Sequence, residues 1–284
     1  MTGATTEHVP VGDREPASVR WWRRPLRVVP VVIGINVIVF FAWQLSNAAP
    51  QLHKVMVYNF LTSPLHLEHR LYWTLLTSVF SHAELWHLAI NMIVLYSFGS
   101  VLERLWGPRM FLGFYLAAGI LASVSHCATT LWFLHSTEVS ALGASGAICG
   151  LLMAYALIFP HHKILVLGII PVPAAAGVVA FVGLDVWGLI AQTRGGGLPI
   201  GHGAHLGGAA AGAMLYFLFV RPKLAAREGY SAAGMPPALT REESRRLQHL
   251  HRKVETEGPE SLTPEERLFL HQLRERFRGA SGGD

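Results

Sequence analysis

The stretch Gly143-Ala144-Ser145-Gly146-Ala147-Ile148-Cys149-Gly150 opens an apolar segment that continues to Phe159. A serine between glycines at the start of such a segment has two interpretations. Small residues commonly line contacts between membrane helices, so Ser145 is either a packing residue or a nucleophile. The elbow of soluble hydrolases, Gly-x-Ser-x-Gly, does not fit, because Ala147 occupies the last glycine position. The remainder of the chain has to decide between the two.

The composition indicates an integral membrane protein. Of the 284 residues, 51% are hydrophobic and 14% are charged, whereas soluble proteins carry about 25% charged residues. Several apolar runs reach the roughly 20 residues that a spanning helix needs, and shorter runs suffice when neighbours bury them. The six runs cover residues 28–49, 86–102, 110–134, 141–159, 164–191 and 203–220. Because strands with a period of two are absent, we predict an all-α, six-helix membrane bundle rather than a barrel.

The net charge of +5 reflects membrane topology rather than nucleic-acid binding. Basic residues cluster before the first run and after the second and sixth, and only Lys54, Arg70 and Arg194 fall on the other side. The positive-inside rule then predicts that both termini are cytoplasmic. No cleavable signal peptide is recognisable, and three acidic residues among the first fifteen argue against a mitochondrial transit peptide. We therefore predict a multi-pass protein of the cell (cytoplasmic) membrane.

The chain divides into a membrane domain and a separate tail. Residues 50–85 carry enough apolar and aromatic side chains to form a structured first outer loop in the membrane interface. Two capping-box patterns, at residues 240–243 and 263–266, predict a small helical hairpin whose partner the sequence does not name. The predicted segments are a disordered arm (1–27), a six-helix domain (28–220), a linker (221–239), the hairpin (240–278) and a disordered tail (279–284).

Polar residues occur near the start of the second, fourth and sixth runs. His87 and Asn91 are four residues apart and share one helix face, where they either form an interhelical hydrogen bond or face a water-filled cavity. If the N-terminus is cytoplasmic, all three runs start at the outer face of the membrane. The first turns of these runs then place four polar residues at one common depth: His87, Asn91, Ser145 and His205. Asp185, in the fifth run, is more simply a cap or a partner of loop backbone. His-Glu-x-x-His is absent and no carboxylate stands at ligand spacing, so we predict no metal and no cofactor.

Glycine pairs support a close approach of two of these runs. Gly146 and Gly150 in the fourth run, and Gly208 and Gly212 in the sixth, each form Gly-x-x-x-Gly. Helices with such smooth faces can approach closely. The approach is expected to bring together the serine and the histidine that precede the two pairs.

These motifs resemble the rhomboid family of intramembrane serine proteases over residues 28–220. The matching motifs, in order, are His87-x-x-x-Asn91, Leu102-Glu103-x-x-x-Gly107, Gly143-Ala144-Ser145-Gly146 and Ala204-His205-x-x-Gly208-x-x-x-Gly212. The tail is similar to appendages found on some bacterial members. The resemblance implies a serine endopeptidase that cleaves transmembrane segments of other membrane proteins near the outer face of the bilayer.

The resemblance also implies roles for individual residues. Ser145 would be the nucleophile and His205 the general base of a dyad without an essential carboxylate, while His87 and Asn91 would stabilise the oxyanion. Two positions depart from the family pattern: Cys149 replaces a common aromatic that stacks on the catalytic imidazole, and Thr74 replaces an arginine in the loop. An inert rhomboid-like protein that binds or escorts membrane helices is the main alternative, and a transporter is a third.

Overall fold

The computed structural model describes residues 24–166, 169–198, 200–225 and 241–279. The chain forms two compact units, Met1–Leu215 and Tyr216–Asp284. Most of the predicted arm, the linker after residue 225 and residues 280–284 lie outside the described residues. The domain boundaries drawn from the sequence therefore stay a prediction.

The first unit is a helical bundle. Its helices are α1 (Val28–Ser46), α2 (Pro50–Phe60), α3 (Pro64–Glu68), α4 (Thr74–Thr77), α5 (Leu85–Val94), α6 (Ser100–Trp106), α7 (Pro108–Trp132), α8 (Ser145–Ile158), α9 (Ala174–Thr193) and α10 (His202–Leu215). A 3-10 turn at Ser78–Phe80 follows α4, and a π-helical turn at Leu95–Gly99 joins α5 to α6 in one continuous helix.

Membrane spans account for most of this bundle. Five helical runs of the described chain are long and apolar enough to cross a bilayer: Val28–Ser46, Leu85–Trp106, Pro108–Trp132, Ala174–Thr193 and His202–Leu224. Helix α8 is apolar but has only 14 residues, and most of them are buried. The predicted fold class is confirmed, with second and sixth helices longer than the sequence runs indicated.

The fifth helix begins ten residues later than its apolar run. Residues Lys163–Val166 (β1) pair antiparallel with Ile170–Pro173 (β2), and α9 starts only at Ala174. Proline lacks an N–H and fits the edge of a ribbon better than a helix interior. Pro171 and Pro173 therefore explain the short ribbon, which is the one strand pair in the described part of the first unit.

Helices α8 and α10 touch through their glycines. A Cβ atom built on Gly150 would lie 3.0 Å from the Gly208 carbonyl oxygen and 2.8 Å from the Ala118 Cβ of α7. A Cβ on Gly208 would overlap the Gly146 carbonyl oxygen. Side chains larger than hydrogen do not fit between these backbones, so the glycine pairs set the approach that the sequence predicted.

A buried carboxylate holds the start of the first span. Glu103 of α6 is 1% exposed, and its two oxygens accept the backbone N–H groups of Arg27, Val28 and Val29 at 2.7, 2.9 and 2.8 Å. These N–H groups have no partner within their own helix, and the negative charge also meets the positive end of the helix dipole. The Leu102-Glu103-x-x-x-Gly107 motif thus ties the first span to the second.

The loop between the first two spans is structured, as predicted. The Thr74 side chain is fully buried and donates to the Leu71 carbonyl at 2.6 Å. The Trp73 indole donates to Asn59 Oδ1 at 3.0 Å, and Trp43 of α1 donates to Ser81 Oγ at 2.7 Å. The loop is braced by neutral hydrogen bonds at the position where the family commonly carries a charge.

The described part of the second unit is helical. A π-helical turn (Tyr216–Val220) is followed by α11 (Arg221–Ala225), α12 (Arg241–Glu257), a 3-10 turn (Pro259–Ser261) and α13 (Pro264–Gly279). Thr263 and Glu266 exchange the reciprocal hydrogen bonds of a capping box at 2.8 and 3.3 Å. Lys253 of α12 also reaches Glu266, at 2.9 Å. The Thr263 N–H, and then Lys253, lower the pKa of Glu266 below its usual value.

Candidate active site

The serine and histidine singled out by the sequence meet at the centre of the first unit. Ser145 is the first residue of α8 and His205 the fourth of α10. His205 Nε2 lies 2.9 Å from Ser145 Oγ, within hydrogen-bonding distance. The contact follows from the glycine interface, because each residue stands one turn or less before the first glycine of its pair.

A carboxylate lies on the other side of the same imidazole. Asp185 Oδ1, on α9, is 3.0 Å from His205 Nδ1 and 2.6 Å from His202 Nδ1. A carboxylate oxygen accepts, so both Nδ1 atoms donate. With its proton on Nδ1, a neutral His205 presents the Nε2 lone pair to the Ser145 hydroxyl, as a general base must.

An aromatic ring also flanks the imidazole, from a different helix than the family pattern suggests. The Phe181 ring of α9 lies 5.6 Å from the His205 ring, centroid to centroid, at an interplanar angle of 33°. Cys149 is buried at 4% exposure, one turn after Ser145. Helix α9 thus supplies His205 with both a ring and a hydrogen-bond acceptor, although Cys149 takes the position of the common aromatic.

The segment before Ser145 has a backbone that requires glycine. Gly143 has φ = +126°, in the region that L side chains rarely adopt. Its N–H donates to the Ser78 carbonyl at 2.9 Å. A Cβ at this position would also meet His87 Cε1 at 2.9 Å. The bare glycine therefore lets the His87 ring lie directly against the turn that presents Ser145.

A second histidine, His82, contacts the same turn through a hydrogen bond. The Ala144 N–H donates to His82 Nε2 at 3.4 Å, and the His82 and His87 rings meet edge to face at 4.8 Å. Burial, and secondly the neighbouring His87, lower the pKa of His82 from 6.5 to about 3. His82 is thus neutral near pH 7 and accepts through Nε2, so it fixes the turn without adding charge.

The predicted oxyanion residues line one cavity with the serine and histidine. The cavity has a volume of about 810 Å³, and its walls include His87, Asn91, Ser145 and His205. Asn91 Nδ2 donates one hydrogen to the His87 carbonyl at 2.9 Å, which leaves its second N–H available. The Ser145 N–H, in the first turn of α8, has no partner within its helix.

The cavity lies between spans, where a membrane segment could approach it. Side chains of α5, including Trp86 and Ile90, form one wall, and Phe181, Leu189 and Gln192 of α9 form another. Trp86 is 75% exposed on the rim. The lining of the cavity is predominantly apolar, and Ser145 and His205 are among its polar residues.

Sequence reasoning underrated Asp185 and His202, which cluster with the predicted base, His205. Each offers one ligand atom, and these atoms lie within 4.8 Å of one another, so the group could hold a metal ion. The argument that no carboxylate stands at ligand spacing is wrong, because α9 brings Asp185 to α10. Both imidazoles donate to the same oxygen of this carboxylate, Asp185 Oδ1. Two signals were available: an acid inside a span, and a histidine one turn before His205.

The fold and the site together define a helical membrane protein with an imidazole-paired serine at the start of a buried helix. The family model for the rhomboid domain matches residues 69–222. The chain is 34% identical over 208 residues to rhomboid protein 1, mitochondrial, of Saccharomyces cerevisiae, covering 71% of this chain and 56% of that protein. It is 32% identical over 204 residues to the presenilin-associated rhomboid-like protein, mitochondrial, of Homo sapiens, covering 70% and 50%. For RHOMBOID-like protein 12, mitochondrial, of Arabidopsis thaliana the identity is 31% over 212 residues, covering 69% and 60%.

The chain belongs to the rhomboid family. Its matched part spans about half the length of these curated relatives. The predicted location in the cell (cytoplasmic) membrane, with both termini cytoplasmic, is wrong by this comparison, because each of the relatives is named as mitochondrial. The physical reason is that the positive-inside rule compares the two sides of a membrane and does not identify the membrane.

Proposed function

We propose that this protein is an intramembrane serine endopeptidase in which Ser145 is the nucleophile and His205 the general base. The observation that carries the proposal is the 2.9 Å contact between Ser145 Oγ and His205 Nε2 in a cavity whose lining is predominantly apolar. A serine hydroxyl is a weak nucleophile until a positioned base removes its proton, and the imidazolium can then protonate the leaving amine. The intact pair argues against an inert helix-binding protein.

The remaining groups of the cavity have roles in the same reaction. His87, the free N–H of Asn91 and the Ser145 backbone N–H are the donors for the oxyanion of the tetrahedral intermediate. The second, fourth and sixth spans start at the face opposite the N-terminus of α1, so cleavage takes place near that face. The substrates are transmembrane segments of other membrane proteins, which reach the cavity between α5 and α9. The names of the relatives support a mitochondrial membrane as the location.

A fluorophosphonate probe tests the proposal without a known substrate. The probe phosphonylates an activated serine and releases fluoride, so the wild-type protein in liposomes is expected to be labelled at Ser145. Ser145→Ala and His205→Ala should not react and should not cleave a generic transmembrane substrate. Ser125→Ala is the matched control, since Ser125 donates to the Gly203 carbonyl at 2.9 Å and lies apart from the imidazole. Labelling of Ser145→Ala at the wild-type rate would refute the assignment.

A further inference from the structure

The carboxylate of Asp185 is placed where it can act on the catalytic imidazole. Its side chain is 6% exposed, and Oδ1 alone accepts from both His205 and His202. The other oxygen, Oδ2, is buried with no hydrogen-bond partner in the described chain. A half-satisfied carboxylate inside a membrane span is costly. A simple cap or loop contact does not account for it, because both of its partners are imidazoles at the reaction centre.

We propose that Asp185 is a positioning residue that fixes the tautomer and orientation of His205, with His202 as the second donor that holds the carboxylate. The inference rests on the proposed function and deepens it, since it replaces the expected dyad by a chain of three hydrogen-bonded groups. Asp185 does not touch the substrate. It acts through His205 Nδ1, 3.0 Å away.

The proton movements follow from the hydrogen bonds. Ser145 Oγ gives its proton to His205 Nε2 as the Oγ–carbon bond forms. His205 Nδ1 keeps its own proton, and Asp185 stays ionised and stabilises the imidazolium. The Nε2 proton then passes to the leaving amine when the peptide C–N bond breaks. Without the carboxylate, a neutral His205 is free to carry its proton on Nε2, where it donates to Ser145 and no longer accepts.

The surroundings of His202 support its holding role. A Cβ built on Gly188 of α9 would lie 2.8 Å from His202 Cδ2, and closer still to other ring atoms. The His202 ring therefore rests directly on the α9 backbone, one turn from Asp185. Phe181, one turn on the other side of Asp185, flanks His205. Successive turns of α9 thus contact the two imidazoles and the carboxylate between them.

Steady-state kinetics in liposomes provide the first test. Asp185→Asn keeps the size and one acceptor oxygen, but its amide can donate to Nδ1 and impose the wrong tautomer. We expect kcat to fall by at least about 100-fold with KM unchanged. His202→Gln should lower kcat less, because Asp185 keeps its bond to His205. Ser125→Ala is again the control, since it also removes a side-chain bond to α10 and should retain kcat.

Nitrogen spectroscopy provides a second test that does not depend on activity. The whole chain is labelled at its histidine nitrogens, and the signals of His205 and His202 are assigned by their loss in His205→Gln and His202→Gln. Both rings are expected to be neutral and protonated on Nδ1. In Asp185→Asn the His205 proton is expected on Nε2. Wild-type kcat in Asp185→Asn, or an unchanged His205 signal, would overturn the inference while leaving the Ser145 assignment intact. If the wild type neither cleaves nor is labelled, the proposed function fails, and the tautomer measurement still decides the role of Asp185.

Discussion

Replacing Gly208 by alanine tests whether the glycine contact between α8 and α10 sets the catalytic distance. The new Cβ would overlap the Gly146 carbonyl oxygen, and ordinary contact lies at 3.4–4 Å, so the backbones must separate by more than about 1 Å. Ser145 stands directly before Gly146, and His205 precedes Gly208 on α10. A separation of that size would stretch the 2.9 Å contact to about 4 Å, beyond hydrogen-bonding distance.

The expected magnitude follows from this displacement. A shift of about 1 Å at a catalytic group costs on the order of 100-fold in rate, and overpacking costs about 1–3 kcal/mol in stability. Gly150→Ala should be milder, because its Cβ would stand 2.8 Å from the Ala118 Cβ and 3.0 Å from the Gly208 oxygen, so the neighbouring helices must shift by less than for Gly208→Ala. Gly183→Ala on α9 is the control, with nothing within 4 Å of its Cβ.

The assay compares kcat, fluorophosphonate labelling and thermal unfolding for the three variants in one lipid composition. We expect activity in the order Gly183→Ala, Gly150→Ala, Gly208→Ala, with the first equal to wild type. The reasoning would be refuted if Gly208→Ala kept the wild-type kcat and melting temperature. It would also be refuted if Gly183→Ala lost as much activity as Gly208→Ala, because the effect would then not arise at the interface.

Three further predictions concern the turn before the serine and the start of the first span. Gly143→Ala should lower kcat at least about 100-fold, because alanine strains the positive φ and displaces His87; normal cleavage would contradict this. Glu103→Ala should cost at least about 2 kcal/mol, seen as a lower melting temperature with kcat retained in the folded fraction. His82 takes up a proton below pH 6.5 when unfolded but only near pH 3 when folded, so stability should fall with decreasing pH by up to about 1.4 kcal/mol per pH unit over that range. His82→Gln, whose side-chain oxygen can accept from the Ala144 N–H, should abolish this slope; an unchanged slope would exclude His82 as its source.

The sequence predicted features that depend on local pattern. Apolar length predicted the spans, and the Gly146–Gly150 and Gly208–Gly212 pairs predicted the approach of α8 and α10. The apolar and aromatic side chains of residues 50–85 predicted the structured loop. The predicted bounds of a helix were wrong where proline residues interrupted an apolar run. The apolar run began the fifth span at residue 164, whereas Pro171 and Pro173 favoured a ribbon over residues 163–173. The predicted membrane was wrong for a different reason, because the distribution of basic residues indicates orientation and does not identify the membrane.

The role of Asp185 was hidden because it depends on how deep two helices lie relative to one another. Asp185 lies eight residues before the last residue of α9, which is about 12 Å along the helix axis. His205 lies three residues after the first residue of α10, which is about 4.5 Å along that axis. The two side chains lie at one depth only if α10 begins about 7.5 Å deeper in the bundle than α9 ends, which is the difference between these two distances. The structure supplies a reason in Gln192, whose Nε2 donates to the carbonyls of Leu198 and Ile200 at 2.9 and 2.8 Å. These bonds fold the loop back along α9, so the last helix begins inside the bundle and its histidines reach the carboxylate.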